Sequence, residues 1–350
     1  MKKNLLLLGL AVAAMTSCTN EEVLSELQES PKAISFDSFV NKATRAVTPT
    51  DANISKFYAY AYYGTDQTVF NGEKVTKSDT IWKYTNTAYW TQNKYQFAAY
   101  ADGNNGDSLT NVAFADGTLT ISSYTVSDDK DLVADVITKD NSNFGVAAQD
   151  VQFTFEHLLT KVKFNIINTS PDYKMKITAL TVTGAKATGE VDVTANGAVW
   201  TGDANANAVT YTPVAASADA YIAKYDNKSE TCKVSSEEMF VMPQALTDVK
   251  FSITATFYDD NDQVVATKTF TNAAFAGKER IDKNEEGEPV GGSVDTWAPG
   301  TSYEYTLSLP VAARPIIFGQ PGIATWANGG IVELNPTGNN EGVQTPTPAN

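Results

Sequence analysis

Residue types that could carry out catalysis are scarce in this sequence. It contains one histidine, His157, and two cysteines, Cys18 and Cys232. His157 lies between Phe155 and Leu158 in a strand-like apolar stretch, where a lone histidine is more often a packed core residue than a base or a ligand. No phosphate-binding glycine loop and no nucleophile elbow is present. We therefore expect no enzyme activity, no catalytic or metal-binding residue and no cofactor.

Two groups of polar and acidic residues have the composition of a calcium site. The first is Asp102, Asn104 and Asp107, and the second is Asp259, Asp260 and Asp262. Neither follows the spacing of an EF-hand loop, so solvated hairpin loops are the favoured interpretation and calcium binding stays open. A carboxylate pair for glycoside hydrolysis also stays open as an enzymatic hypothesis, because such a pair forms only in the fold.

Four aromatic residues lie close together in the chain, namely Trp82, Tyr84, Tyr89 and Trp90. Exposed side chains of this kind can form a platform for a sugar ring. Burial in a core or in a cluster at a strand edge is the interpretation that we favour.

The N-terminus has the features of an export signal. Lys2 and Lys3 precede an apolar run over residues 5–14, and small residues lead to Cys18. This pattern predicts a lipoprotein signal peptide over residues 1–17 and acylation of Cys18; a plain secretory peptide with an incidental cysteine is the alternative. Later apolar runs are short and interrupted, which predicts attachment to a membrane by lipid and no spanning segment.

The chain is strongly acidic. It has 26 basic and 41 acidic residues among 350, a formal charge of -15. This charge repels nucleic acid and anionic lipid and favours solubility, so we expect no nucleic-acid partner. Acylated Cys18 leaves Cys232 without a disulfide partner, so the fold must depend on packing.

Short runs of alternating apolar and polar residues, bounded by Gly, Asn, Asp and Pro, predict strands. The predicted strands cover 34–40, 54–63, 95–101, 118–126, 151–168, 175–184, 190–194, 239–243, 250–258, 264–270, 303–309 and 316–318. A segment at 131–137 fits a short helix or a strand. Many strands without alternating helices predict an all-β protein built from antiparallel sandwiches.

A polar, proline-containing break at residues 168–172 suggests a boundary between two domains. We predict a propeptide with the first strand over 18–45, one sandwich over 46–170, a second over 171–334, and a disordered tail over 335–350 that is rich in Pro, Gly, Asn and Thr.

Several segments, in order along the chain, resemble the fimbrillin family of Bacteroidetes, the type V pilins. They are the signal ending at Cys18, Ile34-Ser35-Phe36 with Thr44-Arg45-Ala46, Asp131-Leu132-Val133-Ala134, the stretch Phe155 to Phe164, Trp297-Ala298-Pro299-Gly300 with Tyr303-Glu304-Tyr305, and Ile316 to Phe318 with Ile323 and Trp326. The stretch 155–164 is similar to a Phe-x-His…Lys-x-x-Phe strand of that family.

The resemblance implies two tandem transthyretin-like domains and a fibre subunit without catalytic residues. It also implies export as a lipoprotein, cleavage between Arg45 and Ala46, and loss of a first strand that carries Ile34, Phe36 and Val40. A strand from the next subunit then fills the vacated groove. Candidate donors lie near the C-terminus. They are Ile331, Val332 and Leu334, and also 316–318.

The arginines fit this scheme. Besides Arg45 the chain has only Arg280, near an acidic loop, and Arg314, which precedes a proline and is a poor protease site. Arg45 lies in a stretch of small and polar residues between two predicted strands, where a protease can reach it. A permanent first strand with an uncut arginine is the alternative.

The sequence thus predicts a surface fimbrial subunit whose partners are other fimbrial subunits and outer-membrane lipid. A monomeric surface lipoprotein or tip adhesin that binds a glycan or a host protein is the second hypothesis.

Overall fold

The computed structural model describes residues 32–40, 54–79, 81–103, 108–127, 130–142, 150–202, 208–211, 220–226, 230–275, 278–279, 282–283, 289–290, 293–311, 317–318 and 322–325. Regular structure in these ranges is almost entirely strand, and the one helical segment among them is a 3-10 turn at Glu230–Cys232. The all-β prediction is confirmed. No helix within these ranges has the length and apolar composition needed to cross a membrane.

The strands are numbered in chain order. The first group is β1 (Phe36–Val40), β2 (Lys56–Tyr63), β3 (Gln67–Ser78), β4 (Ile81–Lys83), β5 (Lys94–Asp102), β6 (Val112–Ala115), β7 (Thr118–Thr125), β8 (Leu132–Asp140), β9 (Val151–His157), β10 (Thr160–Asn168), β11 (Lys174–Lys186), β12 (Thr188–Thr194) and β13 (Gly197–Gly202). The second group is β14 (Ala208–Tyr211), β15 (Lys233–Ser235), β16 (Met239–Val241), β17 (Gln244–Ala245), β18 (Lys250–Tyr258), β19 (Val264–Ala274), β20 (Lys278–Glu279), β21 (Asp282–Lys283), β22 (Pro289–Val290), β23 (Ser293–Val294), β24 (Thr296–Trp297), β25 (Thr301–Leu309), β26 (Ile317–Phe318) and β27 (Gly322–Thr325).

A seven-stranded sheet in the first half of the chain has the order β1-β9-β8-β5-β2-β3-β4. Successive residues of β5 are buried on opposite faces, so that Phe97 belongs to one core and Ala98 to another. One face packs in a core rich in aromatic rings, and the other packs against the sheet β13-β12-β7-β6. Because both faces are covered, the sequence of β5 is a nearly continuous run of apolar residues.

The second half of the chain forms two sheets that share a core. Strands β15-β10-β25-β26 form one sheet, to which β16 and β27 add, and β14-β11-β18-β19 form the other. Their core contains Phe164, Phe251, Phe275, Trp297 and Tyr305, all of them fully buried. The indole N–H of Trp297 donates to the Tyr305 hydroxyl at 2.9 Å, which satisfies a polar group inside this core.

Strands that lie on opposite sides of residue 170 in the sequence pair with each other. Strand β12 pairs with β7, and β10 pairs with β25. The predicted limit between two sandwiches at residue 170 remains a prediction, as does their transthyretin-like character.

The chain passes from the first sheet to a sheet of the second half at Leu158 and Leu159. The sequence predicts one strand over 151–168, whereas the structure has β9 and β10 separated by these two residues. The N–H of Leu158 donates to the Leu132 carbonyl at 2.8 Å, and the Trp200 indole donates to the Leu158 carbonyl at 2.7 Å. The N–H of Gly300 donates to the Leu159 carbonyl at 2.9 Å, so the crossover is fixed from three directions.

Strand β3 is absent from the sequence prediction, and it contains Asn71-Gly72, a pair that is common in turns. In the structure Gly72 has a φ of 73° and is the extra residue of a bulge, since the pairing of β2 with β3 shifts between Ala59 and Tyr60. The strand continues past the bulge to Ser78.

Two pairings depart from the antiparallel rule. Strand β1 runs parallel to β9, and β10 runs parallel to β25, whereas the other paired strands among the described residues are antiparallel. These two pairs bear on the candidate site.

Candidate functional site: the groove of the first strand

Residues 32–36 lie between two edges of the N-terminal sheet. On one side the N–H of Ile34 donates to the Ala88 carbonyl at 2.9 Å, and the N–H of Trp90 donates to the Lys32 carbonyl at 3.0 Å. On the other side the N–H of Val151 donates to the Ser35 carbonyl at 2.8 Å. This segment therefore bridges the residues that follow β4 and the strand β9, and its removal would leave main-chain groups on both sides without these partners.

The parallel pairing continues along β1. Its register runs from Phe36 opposite Val151 to Val40 opposite Phe155, five pairs in all. The Ser35 hydroxyl also donates to the Asp150 carboxylate at the start of this ladder. An edge strand of this length is held to its neighbour by few main-chain bonds.

An aromatic pocket receives the side chain of Phe36. Its ring centroid lies 5.8 Å from that of Phe57, 5.5 Å from Phe70, 5.4 Å from Tyr84 and 6.0 Å from Phe153. The pairs with Phe57 and Tyr84 meet edge to face, an arrangement that the ring quadrupole favours. The pocket therefore selects a large flat apolar side chain at this position.

Ile34 occupies the second buried position, two residues before Phe36. Its side chain is 1% exposed, and the hydroxyl of Tyr84 donates to its carbonyl at 2.5 Å. Burial raises the pKa of the Tyr84 hydroxyl, so this donor stays protonated at neutral pH. Full burial of one such side chain contributes roughly 1.5–3 kcal/mol.

The predicted site residues fall into two groups. Ile34 and Phe36 lie in the groove, and the backbone of Val40 ends β1. Cys18, Arg45, Ala46, Ile331, Val332 and Leu334 lie outside the described residues. Lipidation, cleavage and strand donation at those positions therefore stay predictions.

The tryptophans that we considered as a sugar platform are core residues. Trp82 and Trp90 are each 8% exposed. The Trp82 ring packs 4.8 Å from Phe57, and the Trp90 ring packs 4.9 Å from Tyr95. Of the four aromatic residues, Tyr89 is the one that is largely exposed. The structure thus agrees with the packing interpretation and offers no flat surface of two tryptophans.

His157 is a hydrogen-bonded residue at the end of β9. Its Nδ1 lies 2.5 Å from Oδ2 of Asp131. The other oxygen, Oδ1 of Asp131, is sealed from solvent and accepts no hydrogen bond. Burial raises the pKa of Asp131, and the bond to His157 opposes that rise. The pair joins the residue that precedes β8 to the last residue of β9.

Asp102, Asp260 and Asp262 are bound to other parts of the protein, whereas Asp259 accepts hydrogen bonds from Asn261 and Gln263 in its own loop. Asn104 and Asp107 lie outside the described residues. Asp102 is buried and accepts a hydrogen bond from the Tyr124 hydroxyl at 2.8 Å. Asp260 pairs with Lys224 at 2.6 Å, and Asp262 pairs with Lys174. Among the described residues no three His, Cys, Asp or Glu side chains converge in an arrangement that could hold a metal ion.

Sequence reasoning missed the walls of the groove. Phe153 was readable as an inward residue of an alternating strand, but its role as the floor under Phe36 depends on which strand lies beside it. Tyr84 lies beyond β4 in a stretch without clear alternation. No local signal in the sequence connects either residue to Phe36, which precedes them by dozens of positions.

Comparison with known proteins identifies the family. A profile described as fimbrillin-like matches residues 44–326, which is most of the chain. No curated protein matches the sequence.

Solved structures show a similar fold. A fimbrial protein from Bacteroides vulgatus is 18% identical with a TM-score of 0.54, and the match covers 84% of this chain and 99% of that one. A protein assigned to cell adhesion from Bacteroides ovatus is 13% identical with a TM-score of 0.49, covering 87% and 100%. The fimbrial anchor protein Mfa2 from Porphyromonas gingivalis is 9% identical with a TM-score of 0.39, covering 85% and 98%. Only the first exceeds a TM-score of 0.5, and at its low identity it establishes a shared fold alone.

The fimbrillin-like profile begins two residues before Ala46 and extends through both halves of the fold to β27. It spans the groove walls, the crossover at 158–159 and the parallel pair β10–β25. Proteins of this family are structural and non-enzymatic, in agreement with the expected lack of catalysis, and their occurrence in fimbriae indicates a cell-surface location. The chain belongs to the fimbrillin-like family.

Proposed function

We propose that this protein is a fimbrial subunit that polymerises by strand exchange after its N-terminal segment is cut off behind Arg45. The family supports a role in fimbriae. The observation that carries the finer mechanism is the placement of residues 32–40. Ile34 and Phe36 fill an apolar groove at the edge of a sheet, and the backbone of residues 36–40 pairs with β9. Arg45 follows Val40 by five residues in the sequence.

Cleavage changes how the first strand is held. In the intact chain the strand is tethered to β2, and a short tether gives an effective concentration in the millimolar range. After cleavage the fragment can diffuse away once its bonds to Val151, Ala88 and Trp90 open. A strand from a second subunit then competes for the groove with a free fragment, which it displaces more readily than it would displace a tethered strand.

The groove sets requirements for the incoming strand. It must present two apolar residues two positions apart, in place of Ile34 and Phe36, with main-chain groups free to pair with β9. If it follows the path of β1 it runs parallel to β9. Val332 and Leu334 have the required spacing, as do Ile316 and Phe318.

The C-terminal strands support a donor role. Strand β26 makes two register pairs with β25, and β27 makes four. Both lie at the outer edge of their sheet, so few main-chain bonds must open before this part of the chain can extend towards a neighbour. Residues 331–334 come later in the sequence than β27 and stay our proposed donor.

Attachment to the outer membrane through acylated Cys18 belongs to the same proposal. The lipid holds the precursor at the membrane until the cut behind Arg45 separates residues 18–45 from the rest. One acyl-bearing segment is thereby both the anchor and the occupant of the groove.

The test is proteolysis of the purified precursor with an Arg-specific protease. We expect a fragment that ends at Arg45, followed by oligomers seen in size-exclusion chromatography and fibres seen in electron microscopy. Arg45→Ala should abolish both, and the matched variant Arg280→Ala should assemble like the wild type.

Two results count against the proposal. Polymerisation of Arg45→Ala at the wild-type rate would show that the cut is not required. A cut chain that loses its fragment and stays monomeric at high concentration would favour the monomeric surface lipoprotein or adhesin.

A further inference from the structure

The two parallel pairs lie on one covalent path through the molecule. Strand β9 leads through Leu158 and Leu159 directly into β10. Strand β1 pairs with β9, and β25 pairs with β10. Since β25 precedes the C-terminal segment in the chain, these two ladders connect the occupant of the groove with the outgoing end of the chain.

The relative direction of the strands determines how these ladders resist tension. In β10–β25 the register runs from Lys161 opposite Ser302 to Asn168 opposite Leu309. A pull arriving from β9 acts at the Lys161 end of β10, and a pull from the C-terminus acts at the Leu309 end of β25. The two forces act at opposite ends of a parallel pair, so all eight register pairs resist sliding together.

The same reasoning holds at the groove. A strand donated from near the C-terminus of another subunit is connected to its own fold through its N-terminal end. Strand β9 is connected to β10 through its C-terminal end, at His157. If the donor runs parallel to β9 as β1 does, the five pairs of this ladder are also loaded from opposite ends.

An antiparallel pair in either place would behave differently. The N-terminal end of one strand and the C-terminal end of its partner would then lie side by side, and a pull would open the bonds one after another. Strands β26 and β27, which pair antiparallel with β25, are arranged in that way. They are expected to peel from β25 at low force and leave the parallel pair to resist.

We propose that the parallel pairs β1–β9 and β10–β25 have a mechanical function, as two shear joints in series that carry tension from one subunit to the next along a fibre. This inference rests on the proposed assembly for its first joint. The second joint is internal to the chain and can be tested without any assembly.

The test uses single-molecule force spectroscopy on the uncleaved full-length chain with Cys18→Ser. Cysteine handles at Glu156 and Pro310 load β10–β25 from opposite ends. Handles at Glu156 and Pro299 load the same pair from one end, since Gly300 is bonded to Leu159 beside the start of β10. Glu156 and Pro299 are exposed, and Cys232 is buried and therefore unreactive towards the handles.

We expect a severalfold higher rupture force for Glu156→Cys with Pro310→Cys than for Glu156→Cys with Pro299→Cys at equal pulling speed. Thermal unfolding of the two variants should coincide, which shows that the difference comes from the direction of loading. If Pro299→Cys impairs folding, Asp295→Cys, also exposed, serves as the same-end handle.

Equal rupture forces for both handle pairs, or a higher force for the same-end pair, would overturn the inference. That outcome leaves strand exchange untouched, because no exchange takes place in this experiment. Failure of exchange in the protease assay would in turn leave the β10–β25 result standing.

Discussion

Strands β1 and β25 both pair in parallel with a neighbour, yet they differ in how much of the molecule surrounds them. Strand β1 lies at the end of its sheet and makes five register pairs with β9. Strand β25 lies inside its sheet, makes eight pairs with β10, and is covered on its other edge by β26 and β27. The same pairing geometry thus occurs once at the edge of a sheet and once in its interior. What separates them is the number of neighbours.

The largest effect is expected at Phe164 in β10. Its ring is fully buried and lies 6.2 Å from Phe251, 6.1 Å from Phe275 and 5.9 Å from Tyr305. Phe164→Ala should lower the free energy of unfolding by about 3–5 kcal/mol, measured by urea denaturation, because it leaves a cavity in a core that cannot collapse. Val264→Ala, at a side chain 60% exposed, should change it by less than about 0.5 kcal/mol.

A somewhat smaller loss is expected at Phe36 in β1. In the uncleaved chain Phe36→Ala should cost about 3 kcal/mol, since an edge strand can relax into part of the space. The same variant should release its N-terminal fragment faster after cleavage, as followed by size-exclusion chromatography. Tyr89→Ala, at an exposed ring on the adjacent segment, is the control. A Phe36→Ala chain as stable as the Tyr89→Ala chain would contradict the assignment of the pocket.

The pair of Asp131 and His157 lies at the end of β9, just before the crossover to β10. The titration of Asp131 should make the stability of the protein depend on pH. Burial raises the folded-state pKa of Asp131 above the ordinary value of 3.8, so the folded protein keeps a proton that the unfolded chain has released. The contribution of Asp131 to the free energy of unfolding is therefore present below that ordinary value and is lost as the pH rises through the folded pKa.

Asp131→Asn removes this titration and keeps a hydrogen-bonding group beside His157. We expect a flatter dependence of the free energy of unfolding on pH than in the wild type, measured by urea denaturation from the acidic range to neutrality. Asp66→Asn, at an exposed turn, is the control for the removal of one carboxylate. A slope for Asp131→Asn that equals the wild-type slope would show that Asp131 does not titrate differently in the folded state.

The smallest effect is expected at the surface of the second half. Asp260→Asn breaks the pair with Lys224 and should lower the free energy of unfolding by at most about 0.5 kcal/mol. Because lysines neutralise Asp260 and Asp262, added calcium should not raise the thermal midpoint of either protein. A calcium-dependent rise in the wild type that is lost in Asp260→Asn would reverse this interpretation of the loop.

Much of the strand content was predictable from alternation. Strand β18 occupies the predicted range 250–258, and β7 ends one residue before the predicted limit. Strand direction was not predictable, since alternation is the same for a parallel and an antiparallel neighbour. The groove was predictable in outline from Ile34 and Phe36, whereas its walls come from strands whose order only the fold defines.

The break between β9 and β10, which the sequence prediction missed, can be recognised from the alternation of apolar residues. Val151, Phe153 and Phe155 place the inward residues at odd numbers, whereas Val162, Phe164 and Ile166 place them at even numbers. A single straight strand cannot change this phase, so the shift marks the break at Leu158 and Leu159.

The change from odd to even inward positions at the crossover also limits changes in the length of this segment. Insertion or deletion of one codon between Phe155 and Val162 would turn Phe164 and Ile166 outwards and Lys163 and Asn165 inwards along the whole of β10. Substitutions there act on single contacts, but a change of length reverses a strand. Natural variants of this protein should therefore keep the spacing of this stretch fixed and place their insertions elsewhere.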